Sequence, residues 1–152
     1  MQITAELIKK LREETGAPVM QCREALTQSN GDLEKAKEVL RKLGLETASK
    51  VAERTTSEGL IETYVHTNGK IAAVVELQCE TDFVTRLDEF KNLAHELAMQ
   101  VASMDPKSPE KLLDQEYIRD PSKKVKDLVD ELIAKTKENI VIKRIARFEL
   151  GE

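Results

Sequence analysis

The sequence predicts an α+β protein in two parts: a three-helix bundle, then a small antiparallel sheet with packed helices. Three observations carry this. The first 44 residues hold three short stretches with apolar residues at helical spacing, separated by Gly-containing turns. Two alternating apolar stretches flank Asn68-Gly69 in the middle of the chain. A long amphipathic stretch of 3.6-residue period follows them, and a β-rich run, Ile140–Leu150, closes the sequence.

Thr4 is a suitable N-cap for the first helix, whose stripe is Ile3, Leu7, Ile8 and Leu11. Gly16-Ala17-Pro18 breaks it, and Pro18 suits the start of a second helix with Val19, Cys22, Ala25 and Leu26 on one face. Asn30-Gly31-Asp32 is turn chemistry, with Asp32 capping a third helix faced by Leu33, Ala36, Val39, Leu40 and Leu43. Gly44 reads as the residue that stops it. The expected organisation is a bundle over 1–45, a polar linker over 46–58 with some helix around Ala48–Arg54, and a core over 59–152.

The hairpin has two possible registers. A two-residue Asn68-Gly69 loop sets Val65 opposite Ala72 and Ile61 beside Glu76. A three-residue Thr67-Asn68-Gly69 loop pairs Val65 with Ile71, Thr63 with Ala73 and Ile61 with Val75. The second gathers the apolar residues on one face and is the register expected. Beyond Thr81-Asp82-Phe83-Val84, the residues Phe90, Leu93, Ala94, Leu97, Ala98, Val101 and Ala102 define a helix that ends before Pro106. Asp120-Pro121 reads as the start of a further helix with Val125, Leu128, Val129, Leu132 and Ile133 inward.

Composition narrows the function. With 3% aromatic residues and no Trp, the core has to be aliphatic. The net charge is −4, and residues 46–105 set eleven Asp/Glu against five Lys/Arg. The lack of a basic stripe or an aromatic ladder argues against direct nucleic-acid binding, and an acidic middle suits a protein partner with positive charge. No 18-residue apolar run exists for a membrane span, and the polar, acidic start is not a signal peptide, so a soluble cytoplasmic protein is expected. Cys22 and Cys79 fall at inward positions and read as small hydrophobes. No phosphate-binding glycine motif occurs, and His66, His95, Glu80 and Asp82 form no recognisable catalytic set; neither catalysis nor a cofactor is expected.

Two local features invite a binding role. Cys79-Glu80-Thr81-Asp82-Phe83-Val84 leaves a strand for a helical segment, with an aromatic beside two acids. Phe83 is either a staple under the following helix or an apolar anchor with an adjacent carboxylate. Met20 points off the inner stripe of the second helix, and is either a loosely packed surface residue or a contact.

The run Arg12-Glu13-Glu14-Thr15-Gly16-Ala17-Pro18-Val19-Met20-Gln21-Cys22-Arg23-Glu24-Ala25-Leu26, with Asn30-Gly31-Asp32 and Leu40-Arg41-Lys42-Leu43-Gly44, resembles the N-terminal module of the elongation factor Ts family. Gln78-Cys79-Glu80-Thr81-Asp82-Phe83-Val84 and Leu93-Ala94-His95-Glu96-Leu97-Ala98-Met99-Gln100 resemble that family's core. The resemblance spans nearly the whole chain, with its motifs in the family's order.

The resemblance implies a guanine-nucleotide exchange factor for elongation factor Tu, the GTPase that delivers aminoacyl-tRNA to the ribosome. The bundle would be a ubiquitin-associated-like module docking on the GTPase through Arg12, Val19 and Met20. The run Thr81, Asp82, Phe83 and Val84 would act near the partner's nucleotide and Mg2+ site, with Asp82 and Phe83 as the intruding pair. Two departures stand out: the chain has room for one core module where longer members carry two, and Val19 occupies the first position of the family's usual Met-Met pair. A second copy of the chain could stand in for the missing module, giving a homodimer. The competing readings are an adaptor that binds a partner through the bundle alone, and a small enzyme using Glu80, Asp82 and His66.

Overall fold

The computed structural model describes residues 2–152. Helix α1 (Ala5–Thr15) opens at Thr4, whose hydroxyl accepts the Leu7 N–H at 3.2 Å, and closes at Gly16 in the left-handed region, φ 70°. Helix α2 (Val19–Gln28) starts directly after Pro18. Asn30 and Gly31 both take positive φ, and the Asp32 carboxylate then caps α3 (Leu33–Val51) by accepting the Lys35 N–H at 3.1 Å. Leu11, Cys22, Ala25, Leu26 and Ala36 are buried in one cluster, with Ile3, Leu7, Ile8, Leu33, Val39 and Leu40 packed around it. Val19 departs from the expected inner stripe: it is exposed at the first turn of α2.

Gly44 does not stop the third helix. It is a buried helical residue, and α3 continues through it to Val51, so the first part of the polar stretch, residues 46–51, is helix. A Cβ at Gly44 would stand 3.4 Å from the Asp130 carbonyl oxygen and 3.7 Å from the Ala134 Cβ. The glycine therefore serves close approach to a second helix, α7 (Val125–Thr136), and the α3 helix reaches from the bundle's cluster to the core's cluster at Val51.

Strands β1 (Glu58–Val65), β2 (Ile71–Cys79) and β5 (Val141–Glu149) form an antiparallel sheet in the order β1-β2-β5. The register of the hairpin is the one not expected: Val65 pairs with Ala72 and Ile61 with Glu76. The paired residues His66 and Ile71 enclose a four-residue loop, in which the Gly69 N–H donates to the His66 carbonyl at 2.8 Å and the Asn68 Oδ1 accepts the Lys70 N–H at 2.9 Å. Leu60 and Tyr64 then face the core with Ala73, Val75, Leu77 and Cys79, while Ile61 and Val65 stand exposed on the other face. Only a glycine suits residue 59, which pairs with Gln78 at φ 149°, where a Cβ would collide with the Leu77 carbonyl.

Helix α4 (Asp82–Thr85) is a single turn after β2, and α5 (Asp88–Met104) buries Phe90, Leu93, Ala94, Leu97, Ala98, Val101 and Ala102, the expected stripe. Helix α6 (Pro109–Asp114) and a two-stranded ribbon, β3 (Glu116–Tyr117) with β4 (Asp120–Lys124), lead to α7. Asp120-Pro121 thus begins a strand; the helix starts at Val125, where the Asp127 carboxylate accepts the Lys124 N–H at 2.9 Å and the Val125 N–H donates to the Gln115 carbonyl at 2.9 Å. Buried Gln100 holds the ribbon to α5: its Nε2 donates to the Glu116 carbonyl at 3.0 Å, and its Oε1 accepts the Ile118 N–H at 3.1 Å.

Candidate functional site

The Thr81–Val84 segment is held at both ends with its middle free. Thr81 is the N-cap of α4, its hydroxyl oxygen accepting the Val84 N–H at 3.4 Å. Val84 is 3% exposed and packs in the main core with Phe90 and Cys79. Between them Phe83 is 68% exposed, so the ring is not a staple under α5. Asp82 is exposed beside it, its Oδ2 accepting from Arg86 Nη2 at 2.9 Å. An exposed pair of this kind contributes little to stability, so the carboxylate is available to another partner at small cost.

The base of the segment is a set of carboxylate-to-backbone contacts. Glu138 Oε1 accepts the N–H of Glu80 at 3.1 Å and of Thr81 at 3.0 Å, and Oε2 accepts the Thr81 hydroxyl at 2.6 Å. In return Glu80 Oε2 accepts the Asn139 N–H at 2.6 Å. The buried Asn139 amide donates to the carbonyls of Ala52 at 3.3 Å and Arg54 at 2.8 Å, just past the end of α3. Glu80 is thus a structural group and not half of an acid pair. Glu138 and Asn139 were not legible as site residues: they lie 57 or more positions away in sequence, and nothing local marks them.

The other candidate residues lie on the bundle. Met20 is 71% exposed and Val19 is also exposed, both on the first turn of α2. Val19 and Arg12 border a groove of about 490 Å³ together with Ala5, Ile8, Lys9 and Glu13. The structure therefore presents two patches on different elements, one on α1 and α2, one on α4, rather than a single cavity. Burial raises the thiols of both Cys22 and Cys79, which keeps them protonated and unreactive. Among the described residues, no group of three His, Cys, Asp or Glu side chains is arranged to hold a metal ion, and no helix is long and apolar enough to cross a membrane.

Residues 80–152 match the family model for elongation factor Ts. The elongation factor Ts of Thermotoga maritima is 46% identical over an alignment of 195 residues that covers all of this chain and 98% of the relative. The chain belongs to the elongation factor Ts family. The elongation factor Ts of Pseudothermotoga lettingae is 44% identical with both chains fully covered, and that of Caldanaerobacter subterraneus subsp. tengcongensis is 43% identical over 99% of this chain and 98% of its own. These alignments are longer than the 152 residues of this chain, so elongation factor Ts relatives carry internal residues with no counterpart here. Membership makes this a translation elongation factor.

Proposed function

We propose that the chain is a guanine-nucleotide exchange factor for elongation factor Tu, working in the cytoplasm and prompting GDP release by disturbing the Mg2+ and phosphate site of that GTPase. The observation that carries the reading is the exposed Phe83 ring on a turn fixed by Thr81 on one side and buried Val84 on the other. An anchored ring enters a partner without first losing freedom, which is how a few residues come to dominate binding. Phe83 wedges between partner elements near the ion, and Asp82 exchanges Arg86 for hydrogen-bond donors of the displaced segment. Thr81 and Val84 hold the pair in position. Moving the groups around Mg2+ weakens the grip on the diphosphate, because the ion's charge bridges the two.

Magnitudes show why the bundle is needed too. A ~10⁴-fold acceleration requires about 5.5 kcal/mol of preferential stabilisation of the release state, and one buried aromatic ring supplies about 2–3 kcal/mol. Arg12, Val19 and Met20 on the bundle provide the remaining docking energy. Val19 is smaller than a methionine, which weakens its contact without removing it. Reciprocity follows: by whatever ratio the factor weakens GDP binding, GDP weakens binding of the factor. A bundle-only adaptor would leave the exposed ring without a role.

A second copy of the chain completes the molecule. The outer sheet face exposes Ile61, Val65 and Phe148, with Leu150 at its edge, an apolar surface of the kind that marks an interface. Glu76 and Arg144, paired on the same face with 2.6 Å between Arg144 Nε and Glu76 Oε1, give it both signs of charge. Such a face is self-complementary about a two-fold axis. The direct test of exchange is elongation factor Tu loaded with fluorescent GDP and mixed with this chain and excess unlabelled nucleotide. Release accelerates with factor concentration and saturates; an unchanged release rate at all concentrations overturns the reading.

A further inference from the structure

The geometry assigns Glu138 as a positioning residue for nucleotide exchange: its carboxylate sets the direction in which Phe83 projects. This rests on the reading that Phe83 enters the partner. Helix α4 is one turn long, too short to persist on its own, so its orientation is decided by whatever holds its two ends. Core packing holds the Val84 end. At the other end the chain has left β2, and the N–H groups of Glu80 and Thr81 find their acceptor in Glu138 Oε1, at 3.1 Å and 3.0 Å.

The third contact matters most for the ring. The Thr81 hydroxyl has one proton, and it goes to Glu138 Oε2 at 2.6 Å. That leaves an oxygen lone pair aimed at the Val84 N–H, which is the cap of the turn that carries Phe83. A charged acceptor shortens and strengthens the hydroxyl contact and makes the oxygen a better acceptor in its turn. Three donors converge on this side chain, and a group with no proton of its own and two oxygens suits that demand.

Glu138 is itself aimed by its surroundings. Lys137, at φ 62°, ends α7 in the left-handed region and turns the chain so that residue 138 faces the start of α4. Next to it the Asn139 N–H donates to Glu80 Oε2 at 2.6 Å, so the two loops clasp each other at successive residues. The Asn139 side chain extends the clasp to the carbonyls of Ala52 and Arg54, and Arg54 Nη1 donates to the Lys137 carbonyl at 3.2 Å. The helix from the bundle therefore ends on the same loop that aims Phe83. Both docking patches are referred to one junction.

The test is a double-mutant cycle in the full chain, read as release of fluorescent GDP from elongation factor Tu. Glu138→Ala lowers the exchange rate about tenfold, the scale of charge-assisted bonds lost from the loop. Glu138→Asp keeps the charge but falls one methylene short, and lowers the rate in the same direction; it carries the test if the alanine variant does not fold. In the Phe83→Ala background, Glu138→Ala changes the rate by less than about twofold, because a misdirected loop without its ring has nothing further to lose. Losses that simply multiply in the double variant overturn the assignment, since Glu138 would then act apart from Phe83. Wild-type rates for Glu138→Ala and Glu138→Asp beside a slow Phe83→Ala overturn it while leaving the exchange reading intact. A wild-type rate for Phe83→Ala itself removes the exchange reading and this assignment together.

Discussion

Asp130 sits on α7 where α3 crosses it, 7% exposed, and its Oδ2 has no hydrogen-bond partner. Burial pushes its carboxyl up to about 6 from an ordinary 3.8; Lys126 at 3.9 Å offsets part of this, and Asp127 and Glu131 add to it. The folded chain therefore holds this proton more tightly than the unfolded chain does, so the contribution of Asp130 to stability is greatest in acid and falls as pH rises from about 4 through about 6. Asp130→Asn removes the penalty. It is expected to raise the unfolding free energy by on the order of 1–2 kcal/mol at pH 7.5 and to make no difference near pH 4, measured by urea denaturation at both pH values. At the same scale, Met20→Ala removes an exposed side chain without touching the core. It is expected to weaken binding to elongation factor Tu by about 1–2 kcal/mol with an unchanged melting curve, checked by calorimetry.

Helices α3 and α7 meet through Gly44, and the substitution series there separates propensity from packing. Gly44→Ala gains helix propensity of about 1 kcal/mol against a mild contact at 3.4 Å, so its net effect is small. Gly44→Leu has no room against the α7 backbone and costs about 2–3 kcal/mol, read from the urea midpoint. A reading of sequence alone takes Gly44 for a stop signal because a glycine after an apolar stripe usually is one; the distant Asp130 and Ala134 decide otherwise. The hairpin teaches the same lesson. Choosing a register by gathering apolar residues assumes that the other face is wet, but here Ile61, Val65 and Phe148 are apolar on the outer face. Leu60 and Tyr64 fill the inner one, and the loop closes over four residues instead of three. The stripe from Phe90 to Ala102 was legible because seven inward residues keep one period. Of the candidate site, Phe83 and Met20 stand out in the sequence as breaks in pattern, though a packed staple and an exposed anchor are equally open for Phe83 there, whereas Glu138 does not stand out, since its contacts depend on the fold.

Across the whole molecule, one helix connects a small bundle to a sheet-and-helix core, and the two exposed patches proposed for docking lie one on each. The second-copy reading makes a prediction at this scale. Phe148→Asp sets a charge on the outer sheet face near the end of the edge strand β5, opposite Ala72, and is expected to halve the mass seen by light scattering at tens of micromolar while leaving the helical content intact. A wild-type chain that is already monomeric at that concentration contradicts the dimer. The proposed exchange rests on the α4 ring in either case. The most direct measurement is stopped-flow release of fluorescent GDP from elongation factor Tu by Phe83→Ala, a change at an exposed position that leaves the fold unaltered. The account predicts at least a tenfold loss of exchange, about the 1.4 kcal/mol or more that a buried ring provides. Exchange at the wild-type rate would contradict it.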